Sequence, residues 1–361
     1  MDAELSRDEV HRALVPLMRV DQRTNIAYIV REYALLIIVL AGCATVHNAW
    51  SDGRLSTLGF LPMAALGVAL VATCQHRLSG LAHEASHSTL FKNKLANELA
   101  SDLLLMFPLV AMTQKYRAAH LGHHQFVNDP NRDPDLLRLN HPKPHNFPIS
   151  KGRFWLKYVV RNLWPPSILS YLFGRAKAAN LGSGQRGPLR AVYRVRVARC
   201  LRGAYWLSVL TTVHLLRAWP LFWLFWVVPL LTVYPFLMQL REIAHHCNAP
   251  DDGDLTNSRV FYVHPLLAFC VFPYAQGFHL THHLFAKVPH YRAAEAHAIL
   301  LRYRPYREQV VVCRGYFFRT RGTGGPSVLD VLSRRSTRSD YRGPIGRLPS
   351  RNDRAEISHP H

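Results

Sequence analysis

The six cysteines of this 361-residue chain, at positions 43, 74, 200, 247, 270 and 313, contain no C-x-x-C pair. That spacing offers neither a disulfide framework nor a zinc knuckle, so free thiols in apolar or cytosolic surroundings are expected. Cys247 draws interest only because it adjoins His246. Acidic residues are also scarce, at 23 Asp and Glu against 44 Lys and Arg, for a net charge of +21. So basic a balance raises nucleic acid as a partner. No recognition motif accompanies it, however, and the basic residues flank apolar runs, so nucleic acid is not expected. From Lys151 to Arg202 there are twelve Lys and Arg and no acid at all. Such a stretch cannot cross a bilayer, and its charge places it on the cytoplasmic face. A secretory signal is not expected either. Charged residues are interspersed through the first 30 positions, with no short apolar core followed by a small-residue cleavage site.

What is present is hydrophobicity gathered into runs. Nearly half the residues, 49%, are hydrophobic, and long apolar stretches alternate with arginine-rich ones. That segregation marks a membrane protein. The predicted fold is an all-α integral membrane protein with four transmembrane helices in two hairpins, capped by a cytosolic helical domain. The spans are expected at about 33–50, 58–74, 204–216 and 221–240, set against the ~20 residues needed to cross the hydrocarbon core. Residues 1–30 read as an interfacial helix kinked at Pro16, 31–301 as the membrane domain, and 302–361 as a basic, largely disordered cytosolic tail. Asn97, Glu98, Ser101 and Asp102 interrupt the apolar stretch 95–113, which is therefore expected to lie at the interface without crossing. Residues 129–150 are a loop, and Trp155, Leu156, Trp164, Leu169 and Leu172 suggest amphipathic helices on the headgroups. His264, Pro265 and Pro273 break the run 261–278, so it is expected not to span.

Histidines carry the chemistry. His83 and His87 form an i, i+4 pair; His120, His123 and His124 stand at i, i+3 and i+4; His279, His282 and His283 repeat that spacing; and His246 ends the string REIAHH. On a helix such spacing aims two or three imidazoles at one small volume. One metal takes four to six ligands, so nine imidazoles are too many for one ion and about right for two, and neutral imidazole suits iron, copper or zinc. A structural zinc site is the blander reading, but such sites hold four ligands and usually include cysteine. Glu84, Asp129, Asp133, Asp135 and Glu242 are positioned to orient imidazoles through their second nitrogens, with Glu84, Asp135, Glu242 and His245 the favoured set. The Asp run has an equally good reading as a capped, solvated turn. His47, His76 and His214 lie in or beside spans and suit packing, while His264, His290 and His297 lack partner spacing.

These strings resemble the membrane-bound fatty acid desaturase family. HEASH at 83–87 matches its first histidine box, HLGHH at 120–124 the second, and HLTHHLFAKVPHY at 279–291 the third with its tail. NDPNRDPD at 128–135 resembles the polar segment trailing the second box. REIAHH at 241–246 resembles the R-x-x-x-E-H string, with His245 where glutamate is usual. The resemblance covers about residues 33–301. It implies two iron ions on the cytoplasmic face and dioxygen as co-substrate, while the two hairpins and the charge put both termini on that same, basic side. It also implies a lipid or acyl substrate, and electrons from a ferredoxin or b-type cytochrome. No fused cytochrome domain and no dinucleotide fingerprint are visible, so the donor is expected to be a separate protein, drawn to the basic face. The implied reaction is desaturation of a fatty acyl chain. Hydroxylases and ketolases acting on lipids or specialised metabolites share the same boxes and remain the alternative. A non-enzymatic metal carrier would place its histidines along a span; here they lie outside the predicted spans.

Overall fold

A computed structural model describes residues 4–139, 146–164, 166–170, 172–173, 192–249, 253–320 and 325–334. Among the described residues, three helices are long and apolar enough to cross a membrane: α2 (Gln22–Ser51), α3 (Thr57–Ser86) and α9 (Trp219–His246). Before them lies α1 (Arg7–Leu14), closed by a capping box in which Ser6 and Glu9 exchange hydrogen bonds. Between α3 and α9 come α4 (Lys94–Ala100), α5 (Thr113–Gln125), α6 (Pro134–Leu139), α7 (Lys151–Phe154) and α8 (Val195–Leu215). After α9 follow β1 (Val260–Tyr262), α10 (Pro265–Cys270), α11 (His279–Leu284), α12 (Ala293–Leu300), α13 (Arg304–Gln309), β2 (Val312–Arg314) and α14 (Val328–Ser333).

The expected boundaries shift in three places. The first long helix begins at Gln22, capped by the Asp21 side chain, so residues 22–30 belong to it and not to a separate interfacial helix. The 3-10 turn at Val15–Met18, with Pro16, makes the break instead. Second, α8 covers the expected span 204–216 but is not among the three long apolar helices. Arg196, Arg199 and Arg202 lie within its first eight residues. Third, the tail does not begin at 302. β2 pairs in parallel with β1, with Phe261 opposite Cys313. Val328, Leu329 and Leu332 of α14 are fully buried in a cluster with Leu240, Ile243 and Tyr316. A second capping box, Ser327 with Asp330, closes α14. The expected tail from 335 onward, and the amphipathic reading of residues 174–191, lie outside the described residues.

α2 and α3 pack along their length, and the end of α9 docks on α3. The far ends of these helices meet where Phe225 packs on Cys43, Phe60 and Val71. At the near ends a buried ion pair, Arg77 Nε to Glu32 Oε2 at 2.6 Å, ties α3 to α2. Arg77 also donates to the Phe269 carbonyl, and His76 Nδ1 lies 2.9 Å from the Cys270 carbonyl. These contacts hold α10 against the near ends. The elements carrying the histidines all gather on this side. α1 joins them, burying Val10 and Leu14 in one cluster with Ala296 and Leu300 of α12.

Candidate metal centre

Four helix ends deliver the imidazoles. His83 lies in the last turn of α3 and His87 caps it. α5 carries His120, His123 and His124, α9 ends on His246, and α11 carries His279, His282 and His283. α11 enters from two residues in left-handed conformation, Tyr274 and Ala275, which turn the chain sharply toward the site. It also needs Gly277: a Cβ there would stand 2.5 Å from the Phe261 carbonyl oxygen, so any larger residue would push the third box off β1.

The nine histidines expected as ligands converge, and they divide. His83, His87, His120 and His282 form one group, and His123, His246, His279 and His283 another. In each group one ring nitrogen from every residue lies within 4.8 Å of all the others. His124 completes the first group, its Nε2 lying 3.1 Å from that of His120 and 3.0 Å from that of His282. Helix α5 therefore sends its i, i+4 pair to one group and His123 to the other. α11 does the converse, sending His279 and His283 to the second and His282 to the first. The groups are adjacent, with the His124 and His283 rings stacked at 4.2 Å.

The residues fit metal ions. Within the groups Nε2 atoms lie 2.8 Å (His87–His120), 3.1 Å (His123–His246), 2.8 Å (His246–His279) and 3.1 Å (His279–His283) apart. Imidazole nitrogens bound about 2.1 Å from one ion stand about 3.0–3.4 Å from each other. The outer nitrogens are set to match. His123 Nδ1 donates to Asp133 Oδ1 at 2.8 Å, and His246 Nδ1 donates to the Asn257 carbonyl at 3.1 Å. Both bonds leave a lone pair on Nε2, aimed inward. His83 Nδ1 faces Glu84 Oε1 at 3.5 Å. Burial, then the nearness of His83, pulls the His87 imidazole down to about 3. Burial first, and the crowd of neighbouring imidazoles second, holds His120, His124, His279, His282 and His283 well below the usual value. All are neutral at pH 7, as metal ligands must be.

The residues expected to support the ligands fall into place unevenly. Glu84 is buried between the first and third boxes, accepting from the His290 backbone N–H and the Thr89 hydroxyl. Asp135 approaches His123 and Asp133, and the 2.8 Å bond to His123 Nδ1 is made by Asp133. Asp133 also caps α6, accepting from the Asp135 N–H at 2.8 Å. Glu242 lines a cavity beside the site. His245 belongs to neither group; its ring stacks on His279 at 3.5 Å, inclined by 14°. Cys247 lies outside both groups, and burial pushes its thiol up to about 12. Asn257 and Arg117 are absent from the expected set. Arg117 donates from Nε to the Ser86 carbonyl and from its NH2 group to Glu98 Oε2 at 2.5 Å and to the Ala85 carbonyl. Its position three residues before His120 is the only sequence signal pointing to it.

Comparison with known proteins agrees with this geometry. The sequence model described as fatty acid desaturase matches residues 58–315. A curated relative, dihydrorhizobitoxine desaturase of Bradyrhizobium elkanii, is 27% identical over 350 residues, covering 91% of this chain and 90% of the relative.

Proposed function

This chain belongs to the fatty acid desaturase family and is an oxidoreductase, and from that premise we propose that it is a membrane-bound diiron oxidase inserting a double bond into a lipid-like chain. The convergence of nine buried imidazoles into two adjacent groups carries the reading. His83, His87, His120, His124 and His282 would hold one iron, and His123, His246, His279 and His283 the other. Bound there, the irons would supply the power to oxidise unactivated C–H bonds with dioxygen. The balance is two hydrogens lost from the substrate, with two further electrons and two protons, reducing dioxygen to two waters. The electrons come from a separate ferredoxin or b-type cytochrome, for which the basic face is the proposed dock. The protein's own work is to hold and shield. Asp133 and the Asn257 carbonyl keep Nδ1 of His123 and His246 protonated, and burial keeps bulk water from the centre. A donor set of nitrogens without thiolate is one that a strong oxidant does not consume.

The family implies a lipid substrate and membrane association, and the three long apolar helices agree with the latter. We propose α8 as the fourth span. It starts on the site side, where Ala198 packs with Phe107 and Met112. It must end on the far side, because α9 begins there. Its 21 residues extend about 31 Å, with Arg196, Arg199 and Arg202 at the headgroups and the apolar remainder entering the hydrocarbon core. Four crossings put both histidine-bearing helix ends, α1 and α7 on one side, read as cytoplasmic from the basic charge of the sequence there.

Product analysis tests the reading. After expression in a host of known lipid composition, a product about two mass units lighter than its precursor supports desaturation, and one about sixteen heavier identifies a hydroxylase. Zinc alone, or one metal per chain, in an active purified sample would end the diiron assignment.

A further inference from the structure

His290 stands outside both histidine groups, yet it is only 6% exposed and neither of its ring nitrogens makes a hydrogen bond. Sequence spacing gives it no partner; the fold supplies one. Its Nδ1 lies 3.4 Å from Glu84 Oε2, and the other oxygen of that carboxylate, Oε1, faces His83 Nδ1 at 3.5 Å. We propose, resting on the diiron reading above, that His290 is a positioning residue: by fixing the Glu84 carboxylate it keeps His83 turned with Nε2 toward the iron site of the first group.

The His290 ring is held where it is by its neighbours. Tyr28 of α2 meets it edge-on at 4.7 Å, and Tyr274, in the turn before α11, meets it at 4.9 Å. α3 comes close enough to seat Tyr274 because residue 80 is glycine: a Cβ there would stand 2.7 Å from Tyr274 Cδ2. Gly80 lies one helical turn before Glu84, so one face of α3 carries both. Such an aromatic nest does not require a histidine, since a phenyl ring would fill it. What a phenyl ring lacks is a polar edge, and the polar edge here is turned to Glu84. Burying that edge without a hydrogen bond is unfavourable, and the facing carboxylate offsets the loss. Glu84 is in turn pinned through Oε2. The His290 N–H at 3.0 Å, the Thr89 hydroxyl at 3.1 Å and the His290 ring all address that oxygen. Oε1 is left for His83, and an acceptor at His83 Nδ1 selects the tautomer that frees Nε2 for metal. The tail of the third box thus reaches back to orient a ligand of the first.

The test uses the purified, iron-loaded full chain in detergent. Release of each iron to a chelator is followed by metal counting and Mössbauer spectra. His290→Phe, which fills the nest without the polar edge, is expected to release the iron of the first group about tenfold more readily than wild type and to leave the other unchanged. His290→Gln, which restores a polar edge, is expected to hold that iron within roughly threefold of wild type. In a Glu84→Gln background His290→Phe is expected to add nothing, because its effect runs through the carboxylate. The inference is overturned if the Phe and Gln variants behave alike, whether both hold iron as wild type does or both fail to fold. It is overturned too if His290→Phe loosens both irons together, or adds its full effect to that of Glu84→Gln, since either result marks a packing role. In all of these outcomes the wild-type chain carries two irons and the diiron reading stands. A wild-type chain that takes up no iron defeats the diiron reading and this inference with it.

Discussion

His123 Nδ1 and Asp133 Oδ1 stand 2.8 Å apart, both side chains buried. The carboxylate can only accept, so His123 presents Nε2 as a lone pair to the second histidine group. Replacing Asp133 with Ala removes that constraint and the cap on α6. Partners of this kind are worth about 10–100-fold in metal affinity, and a lost cap about 1 kcal/mol. Asp133→Ala is expected to retain roughly one iron per chain. Asp135→Ala keeps the short Asp133 bond and is expected to keep His123 oriented. Equal iron content in the two variants would refute the role given to Asp133.

Arg117 does for the first group what Asp133 does for the second, but through backbone. Its guanidinium binds the Ala85 and Ser86 carbonyls, which lie between His83 and His87, and is held by Glu98. It thereby sets the distance between the first box and His120, one helical turn along α5. Arg117→Gln leaves a buried carboxylate unpaired, which costs about 3–5 kcal/mol. The expected result is loss of the iron held by the first group with the second retained. Arg117→Lys, which keeps the charge but not the fork, should fall between. Metal counting with Mössbauer spectra of the remaining iron distinguishes this from general unfolding, in which both irons would go together.

The imidazoles are legible in the sequence because i, i+3 and i+4 spacing is local and survives any docking of the helix. Their partition is not legible. Whether His123 sides with His120 or with His246 depends on how α5 and α11 cross, which no local pattern encodes. Asp133 and Asp135 have the same chemistry two positions apart, and only the cap on α6 separates them. β2 is three residues long and pairs with a strand about fifty residues earlier, so the composition around it reads as tail. α8 escapes a hydropathy criterion because Arg196, Arg199 and Arg202 dilute its first turns.

His297 allows a test of the fold apart from the metals. It is buried on α12 with Nδ1 2.8 Å from the Tyr306 hydroxyl, and burial lowers it to about 4. Between pH 6.5 and about 4 the unfolded chain binds a proton there that the folded chain does not, so this contribution to stability falls as pH falls through that window. Thermal melts of the wild type and His297→Gln should therefore converge as pH drops from 7 to 5. A constant difference between the two would show that His297 titrates normally.

Residues 312–334 are expected to be indispensable. Val328, Leu329 and Leu332 are each 1% exposed or less, and burying such a side chain contributes about 1.5–3 kcal/mol. Asp330 locks the segment down through Lys151 and Arg319. A chain ending at Tyr303 should fail to accumulate in membranes, and Leu332→Ala should lower the melting temperature. Normal accumulation of the shortened chain would restore the sequence-based boundary at 301.

The crossing of α8 can be read from thiols. Cys200 is exposed, whereas Cys247 and Cys313 are buried, with thiols pushed up by burial to about 12 and about 11. At pH 8 a membrane-impermeant maleimide should therefore leave Cys247 and Cys313 untouched. Cys200 lies among the arginines at the start of α8 and should react in inverted vesicles but not in intact cells. Arg217→Cys, in the turn between α8 and α9, should show the opposite pattern, matching Asp52→Cys in the turn between α2 and α3. If Cys200 and the cysteine at 217 react from the same side, α8 does not cross. The ends of α3 and α9 would then fall on opposite faces of the membrane, and His83 and His246 could not share one centre.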